Sequence, residues 1–165
     1  GDMIAKYPLA IKSGETAGEL SDRLSSLGAE KAEEVLNSIE EGTAEYVKQD
    51  NAIASLVKTI KKEDSIIDFT KDSETVCHFV LGMNPKPAAQ CFHNGKIMKV
   101  FYAVPAEGKG EPGEVLTAKG RLVVACGKGA IEITELQEEG GKRMSAKDFL
   151  SGRKIAVGER LISCL

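Results

Sequence analysis

Tryptophan is absent from this chain of 165 residues, histidine occurs twice, and aromatic residues make up only 5% of it. With two histidines, His78 and His93, general acid–base chemistry built on imidazole has little to draw on. No Ser/His/Asp or Cys/His catalytic set can be placed, and no catalytic residue is expected in this chain. Scarce aromatics also leave few platforms for stacking unpaired bases. Phe92, Phe101 and Tyr102 fall in expected strands and read as core. No apolar run approaches the roughly 18 residues that a membrane-spanning helix needs, and nothing resembles a signal peptide. The expected location is therefore the cytoplasm, with no membrane partner. Four cysteines (Cys77, Cys91, Cys126, Cys164) without secretory features read as reduced thiols, not as a disulfide framework. The pairs Cys77-His78 and Cys91-x-His93 have ligand chemistry that zinc accepts, but they lack the usual ligand spacing, so no metal is expected.

What is present is ordinary globular composition, 42% apolar and 28% charged, enough for one or two small domains. The net charge of −3 hides an asymmetry. Residues 1–74 hold 9 Lys+Arg against 16 Asp+Glu, a net −7, and residues 75–165 hold 13 against 9, a net +4. A polyanionic partner is expected to meet the second part.

Met3 to Ile11 alternates loosely and ends at Ser13-Gly14, which predicts a short strand and turn. From Thr16, apolar residues at Leu20, Leu24, Leu27, Val35, Leu36 and Ile39 mark an amphipathic helix, opened by Thr16 with Glu19 and stopped at Gly42. A bend is expected at Gly28. Thr43 to Lys71 is polar and without sustained period, which reads as a linker carrying a basic knot at Lys58, Lys61 and Lys62. A short helix with Val76, Phe79 and Val80 starts at Asp72 or Ser73 and stops before Pro85.

Beyond it the period becomes two. Strands are predicted at Ala88–Phe92, Lys96–Val104, Gly113–Thr117, Arg121–Ala125 and Ala130–Leu136, parted by turn signals such as Asn94-Gly95 and Lys128-Gly129. Five short strands with one helix suggest a small antiparallel barrel of the OB type. Gly108-Lys109-Gly110 and Gly127-Lys128-Gly129 lack the phosphate-loop arrangement and read as hairpin turns. Gly141 to Lys154 reads as a basic loop, a helical turn capped by Ser145 with Asp148, a C-cap at Gly152 and a basic exit; a closing strand follows at Val157–Leu161. The basic cluster around that helix, Lys142, Arg143, Lys147, Arg153 and Lys154, joined by Lys86 in the rigid Asn84-Pro85-Lys86-Pro87 segment, is the candidate phosphate-binding surface. Clamping the backbone of a folded RNA stem fits so few aromatics better than reading a single strand.

The run from Gly141 to Leu161 resembles the end of the C-terminal domain of methionyl-tRNA formyltransferases. Gly1-Asp2-Met3-Ile4, Gly14 to Leu20, Leu27-Gly28-Ala29-Glu30, Lys62-Glu63-Asp64, Ile67-Asp68 and Asn84-Pro85-Lys86-Pro87 follow the family's pattern in order along nearly the whole chain. The resemblance implies an α+β organisation: residues 1–42 as the closing strand and helix of a Rossmann-like catalytic domain, 43–72 as a linker, and 73–165 as an OB-like tRNA-binding domain. It implies that the Asn, His and Asp catalytic trio and the folate loop lie before Gly1. Accordingly 10-formyltetrahydrofolate is expected as co-substrate of the whole enzyme, with no cofactor in this portion. The implied partner is initiator methionyl-tRNA, bound by Lys86, Lys142, Arg143, Lys147, Arg153 and Lys154. A helix face at Leu20, Leu24, Leu36 and Ile39 left uncovered invites a dimer.

The chain departs from the family's pattern at Leu56, Thr59, Ile66, Met83 and Lys86, where aromatic or basic residues are usual, and Phe69 stands where Trp is frequent. These departures leave open a formyltransferase acting on a sugar nucleotide or a formyltetrahydrofolate-processing enzyme. A non-enzymatic RNA or protein adaptor is the third reading.

Overall fold

A computed structural model of the chain describes residues 1–152 and 155–163. It falls into two units, Gly1–Thr59 and Ile60–Leu165. The first unit is organised by α1 (Ala17–Glu40). Its start is fixed by a reciprocal cap: the Thr16 hydroxyl accepts from the Glu19 amide at 3.2 Å, and the Glu19 carboxylate accepts from the Thr16 amide at 2.9 Å. The helix continues through Gly28 to Glu40, and the chain leaves it through Gly42 at φ +70°.

The strand expected over Met3–Ile11 does not form. Only Met3 pairs, exchanging hydrogen bonds of 2.8 and 2.9 Å with Val47. Alternation supplies one face but no partner, and a ladder needs both. Arg23 tethers this segment instead, donating from Nη1 to the Ala10 carbonyl at 3.2 Å and to Glu15 at 2.6 Å. The Lys12 amide and then Arg23 hold the Glu15 carboxyl below its ordinary range. No residue of α1 is buried. Leu24, Leu36 and Ile39 are 49%, 60% and 42% exposed, so the apolar stripe of this helix is uncovered within its own unit.

In the second unit, part of the stretch expected as linker enters the core. Ser65, Ile67 and Phe69 are buried, and the Ile67 amide donates to the Gln90 carbonyl at 2.8 Å. The second helix, α2 (Ser73–Met83), is capped by Asp72, whose carboxylate accepts from the Thr75 amide at 2.9 Å. It packs on the sheet through Val76, Cys77 and Val80.

The five expected strands are present as β1 (Ala89–His93), β2 (Lys96–Ala106), β3 (Val115–Thr117), β4 (Leu122–Ala125) and β5 (Ala130–Glu138). A sixth, β6 (Met144–Ser145), leads into α3 (Ala146–Gly152). All pairings are antiparallel, in the order β1-β2-β5-β4-β3, with β6 on β5. Asn94 and Gly95 both adopt left-handed φ, +48° and +77°, which matches the turn twist to the β1–β2 strands.

Where β2 crosses β5 the register slips and recovers. Val100 faces Leu136 and Ala103 faces Ile133, but Tyr102 between them faces Glu135, so Phe101 on β2 is passed over and Thr134 on β5 restores the count. The buried Asn84 amide pins that irregularity, donating from Nδ2 to the Phe101 carbonyl at 2.8 Å.

The closing strand expected over Val157–Leu161 is instead an extended strap that touches both sheet edges. It exchanges bonds with the β3 edge (Val115 amide to Glu159 carbonyl, Leu161 amide to Gly113 carbonyl, both 2.8 Å). It also exchanges them with β1 (Phe92 and Ile162, 2.9 Å each way). Both edges thus find partners, which is how a curled sheet avoids unpaired backbone groups. His93, at the end of β1, locks the strap from the side with Nε2 2.5 Å from Glu159 Oε2. Ile131, Ile133, Leu136, Met98, Val124, Val115, Leu161 and Phe149 fill the interior between sheet, α2 and α3. Each large apolar side chain buried there contributes about 1.5–3 kcal/mol.

Candidate nucleic-acid interface

Three of the basic residues singled out by sequence, Lys142, Arg143 and Lys147, follow the exit from β5. After Glu138 the chain turns at Gly140, with the Gly141 amide on the Glu138 carbonyl (2.9 Å) and Gln137 Nε2 on the Gly141 carbonyl (2.8 Å). Lys142 stands on this pinned loop, exposed and without a counterion among the described residues. Arg143 follows, and β6 returns to pair Met144 with Leu136 and Ser145 with Glu135. The Ser145 hydroxyl accepts from the Asp148 amide at 3.1 Å and donates to the Asp148 carboxylate at 2.7 Å, the cap expected from sequence. Lys147, on the first turn of α3, points to solvent with no ion partner among the described residues. Gly152 is the last residue of α3 and carries no left-handed φ; Arg153 and Lys154 lie outside the described residues.

Lys142, Asp148 and Gly152 also line one cleft of about 220 Å³ floored by Met144 and Phe149. The loop and α3 therefore form one continuous surface, with Glu138 and Asp148 tempering its positive charge.

Arg143 is not free. Its Nε and Nη2 donate to Glu135 Oε1 and Oε2 at 2.6 and 2.7 Å, a two-pronged pairing, and its guanidinium carbon lies 4.2 Å over the Phe101 ring. Donation to the Glu135 carboxylate holds the guanidinium above its already high ordinary range. Sequence reading missed both partners. The Tyr102–Glu135 slip in register brings them there, and no local pattern announces it.

Lys86 is exposed on the short loop between Pro85 and Pro87, whose preceding peptide bonds are both cis. Asn84, at the base of that loop, is bonded to the backbone of Phe101, the residue that carries Arg143. The two parts of the predicted surface are thus attached to one strand position.

A second basic pair was not grouped in advance. Gln90, Lys99 and Gln137 face one another across three strands, and Lys62 joins them in a cleft of about 230 Å³ shared with Glu138 and Glu139. The Asn94-Gly95 turn sets the Gln90–Lys99 register and was the available signal.

The cysteine and histidine pairs do not converge. His78 is exposed on α2, His93 is engaged by Glu159, and the Cys91 thiol faces the Met98 carbonyl at 3.7 Å. No group of three or more His, Cys, Asp or Glu side chains meets among the described residues. Burial pushes the Cys77 and Cys91 thiols up to about 12 and Cys126 to about 11.

The second unit is an α+β domain built on a small, curled antiparallel sheet. The chain belongs to the formyl transferase C-terminal domain family, whose description matches residues 59–154. It is 44% identical over 163 residues, 98% of its length, to a methionyl-tRNA formyltransferase of Geotalea daltonii. It covers 52% of that relative, so the chain spans about half the length of the curated relatives it matches. Among solved structures, a HypX variant from Aquifex aeolicus superimposes with a TM-score of 0.70 at 23% identity, over 96% of this chain and 32% of that one. A second HypX structure, in complex with tetrahydrofolic acid, gives a TM-score of 0.59 at 23% identity over 78% and 26% of the two chains. No helix among the described residues is long and apolar enough to cross a membrane.

Proposed function

We propose that this chain is the tRNA-gripping portion of a methionyl-tRNA formyltransferase, which moves a formyl group from 10-formyltetrahydrofolate to the methionyl amine of initiator tRNA. The observation that carries this reading is the 44% identity, over 98% of this chain, to a protein of that name. The Asn, His and Asp trio implied by the resemblance would carry the chemistry in the whole protein. Residues 1–165 would supply proximity by holding the acceptor arm so that the amine reaches the formyl donor, a contribution to rate that needs no catalytic side chain here. On this reading α1 and its entry segment are the end of a Rossmann-like domain, and the sheet closed by its strap is an OB-like barrel.

The uncovered stripe at Leu24, Leu36 and Ile39 supports self-association of this chain when it stands alone. Solvated Lys142 and Lys147 support the gripping role, because free ammonium groups neutralise phosphates without first losing a partner. Lys86, Arg153 and Lys154 complete the proposed surface.

The test is titration with initiator and elongator tRNA at low and near-physiological salt. Dissociation constants of about 10⁻⁴–10⁻⁶ M, weakening steeply with salt, are expected from backbone neutralisation. Binding should fall when Lys142 and Lys147 are changed together to Ala. Absence of binding at low salt would remove the tRNA reading and favour a sugar-nucleotide or folate-only relative.

A further inference from the structure

We propose that Glu135 holds Arg143 in reserve, occupying the face of the guanidinium that an RNA phosphate would otherwise take, and thereby sets how selectively this surface binds RNA. The inference rests on the tRNA-gripping role proposed above. A carboxylate bound through Nε and Nη2 uses the fork geometry that arginine offers to a phosphate, so the two ligands compete for one site. Phe101 fixes the plane of the guanidinium at 4.2 Å. Arg143 therefore cannot swing to a second position without leaving its ring.

The pair is also weak enough to be exchanged. The side chains of Arg143 and Glu135 are 39% and 30% exposed, which places their pairing among solvent-screened contacts. An RNA whose backbone fits the surface set by Lys142 and Lys147 brings a phosphate to Arg143 and displaces the carboxylate. One that fits poorly meets Glu135 still in place, as a negative charge beside its phosphates. The device penalises loose binding more than fitted binding.

The experiment compares wild type, Glu135→Gln and the double variant Glu135→Gln/Arg143→Ala by titration with initiator and elongator tRNA over a salt series. Thermal melts establish that each variant is folded, and Glu135→Ala serves as a second release variant. Releasing Arg143 should tighten binding of elongator tRNA about five-fold, about 1 kcal/mol, and that of initiator tRNA less, and an equal gain for both would overturn the proposal. For the poorly fitting RNA, which leaves Glu135 in place in wild type, it should also steepen the slope of log K against log salt by about 0.7–0.9, one added phosphate contact. Adding Arg143→Ala should erase the gain. A gain that persists without Arg143 would mean that Glu135 acts only through net charge and would overturn the proposal. So would unchanged binding by both release variants while Lys142→Ala/Lys147→Ala weakens it, a result that leaves the gripping role standing. If neither wild type nor the release variants bind at low salt, the gripping role itself falls.

Discussion

Replacing Gly113 by alanine tests whether the strap from Gly158 to Ile162 closes the curled sheet as described. Gly113 sits at φ +85°, and a Cβ built there would run into the backbone carbonyl of Leu161. That oxygen belongs to a main chain held on both sides, so it cannot turn away as a flexible side chain would. Forcing a non-glycine residue into left-handed geometry costs about 1–2 kcal/mol. Displacing the strap adds the loss of the Leu161 and Val115 amide bonds, about 0.5–1.5 kcal/mol each. The total, about 2–5 kcal/mol, is a large part of the 5–15 kcal/mol typical of a domain. At about 4–8 °C per kcal/mol for a domain near this size, melting should fall by about 8–40 °C. Urea unfolding gives the free energy, and hydrogen exchange on peptides from 112–117 and 155–163 gives its location. Gly140→Ala is the control, since Gly140 shares the left-handed φ at +74° but has nothing near its missing Cβ. If Gly113→Ala costs no more than Gly140→Ala, or if the strap amides keep their protection, close approach of Leu161 is not what seals the sheet.

Asn84→Ala should cost about 1–3 kcal/mol by orphaning the Phe101 carbonyl, visible as a lower urea midpoint with unchanged m-value; a change of a few tenths would mean water replaces the amide freely. Cys77, Cys91 and Cys126, buried and with thiols raised to about 11–12, should resist alkylation in native protein near pH 8 and react in urea. Mass mapping decides this, and rapid native labelling of any of the three would contradict their burial. Glu159, whose carboxyl the His93 hydrogen bond lowers, contributes stability that is full above its unfolded value of about 4.3 and is lost as pH falls through the lower folded value. Glu159→Gln should therefore flatten the acid limb of a stability–pH curve below about pH 4, and an unaltered limb would show that the pair is not coupled to folding. Thr16→Ala removes the α1 cap and should lower helix stability by about 1 kcal/mol, read as reduced amide protection in residues 17–22.

Local signals carried much of this architecture, and the reasons are local. The Thr16–Glu19 cap and the Asp72 cap are interactions spanning three residues, so their positions in the sequence are their positions in space. The β1–β2 hairpin was legible because Asn94-Gly95 is the turn itself. Met3–Ile11 has the alternation of a strand and forms none, because strand formation depends on a partner that alternation does not specify. Ile67 and Phe69 were read as linker because the residues around them lack a period; they are buried by packing into the core, with the Ile67 amide on the Gln90 carbonyl and the Gly127 amide on the Phe69 carbonyl. At the candidate site, exposed Lys142 and Lys147 lie where the basic run put them, while Arg143 has been taken up by the fold.

What the sequence by itself determined is therefore what acts within a few residues: the helix starts, the hairpin turn and its register, the histidine-poor chemistry, and the location of the basic run. Only the tertiary structure decided that the 158–162 strap would join β3 to β1, that His93 would meet Glu159 from 66 residues away, and that the slip at Phe101 would bring Arg143 between a ring and a carboxylate. These contacts depend on strand order and register. Both are set by how the whole apolar set packs, so no single segment contains them.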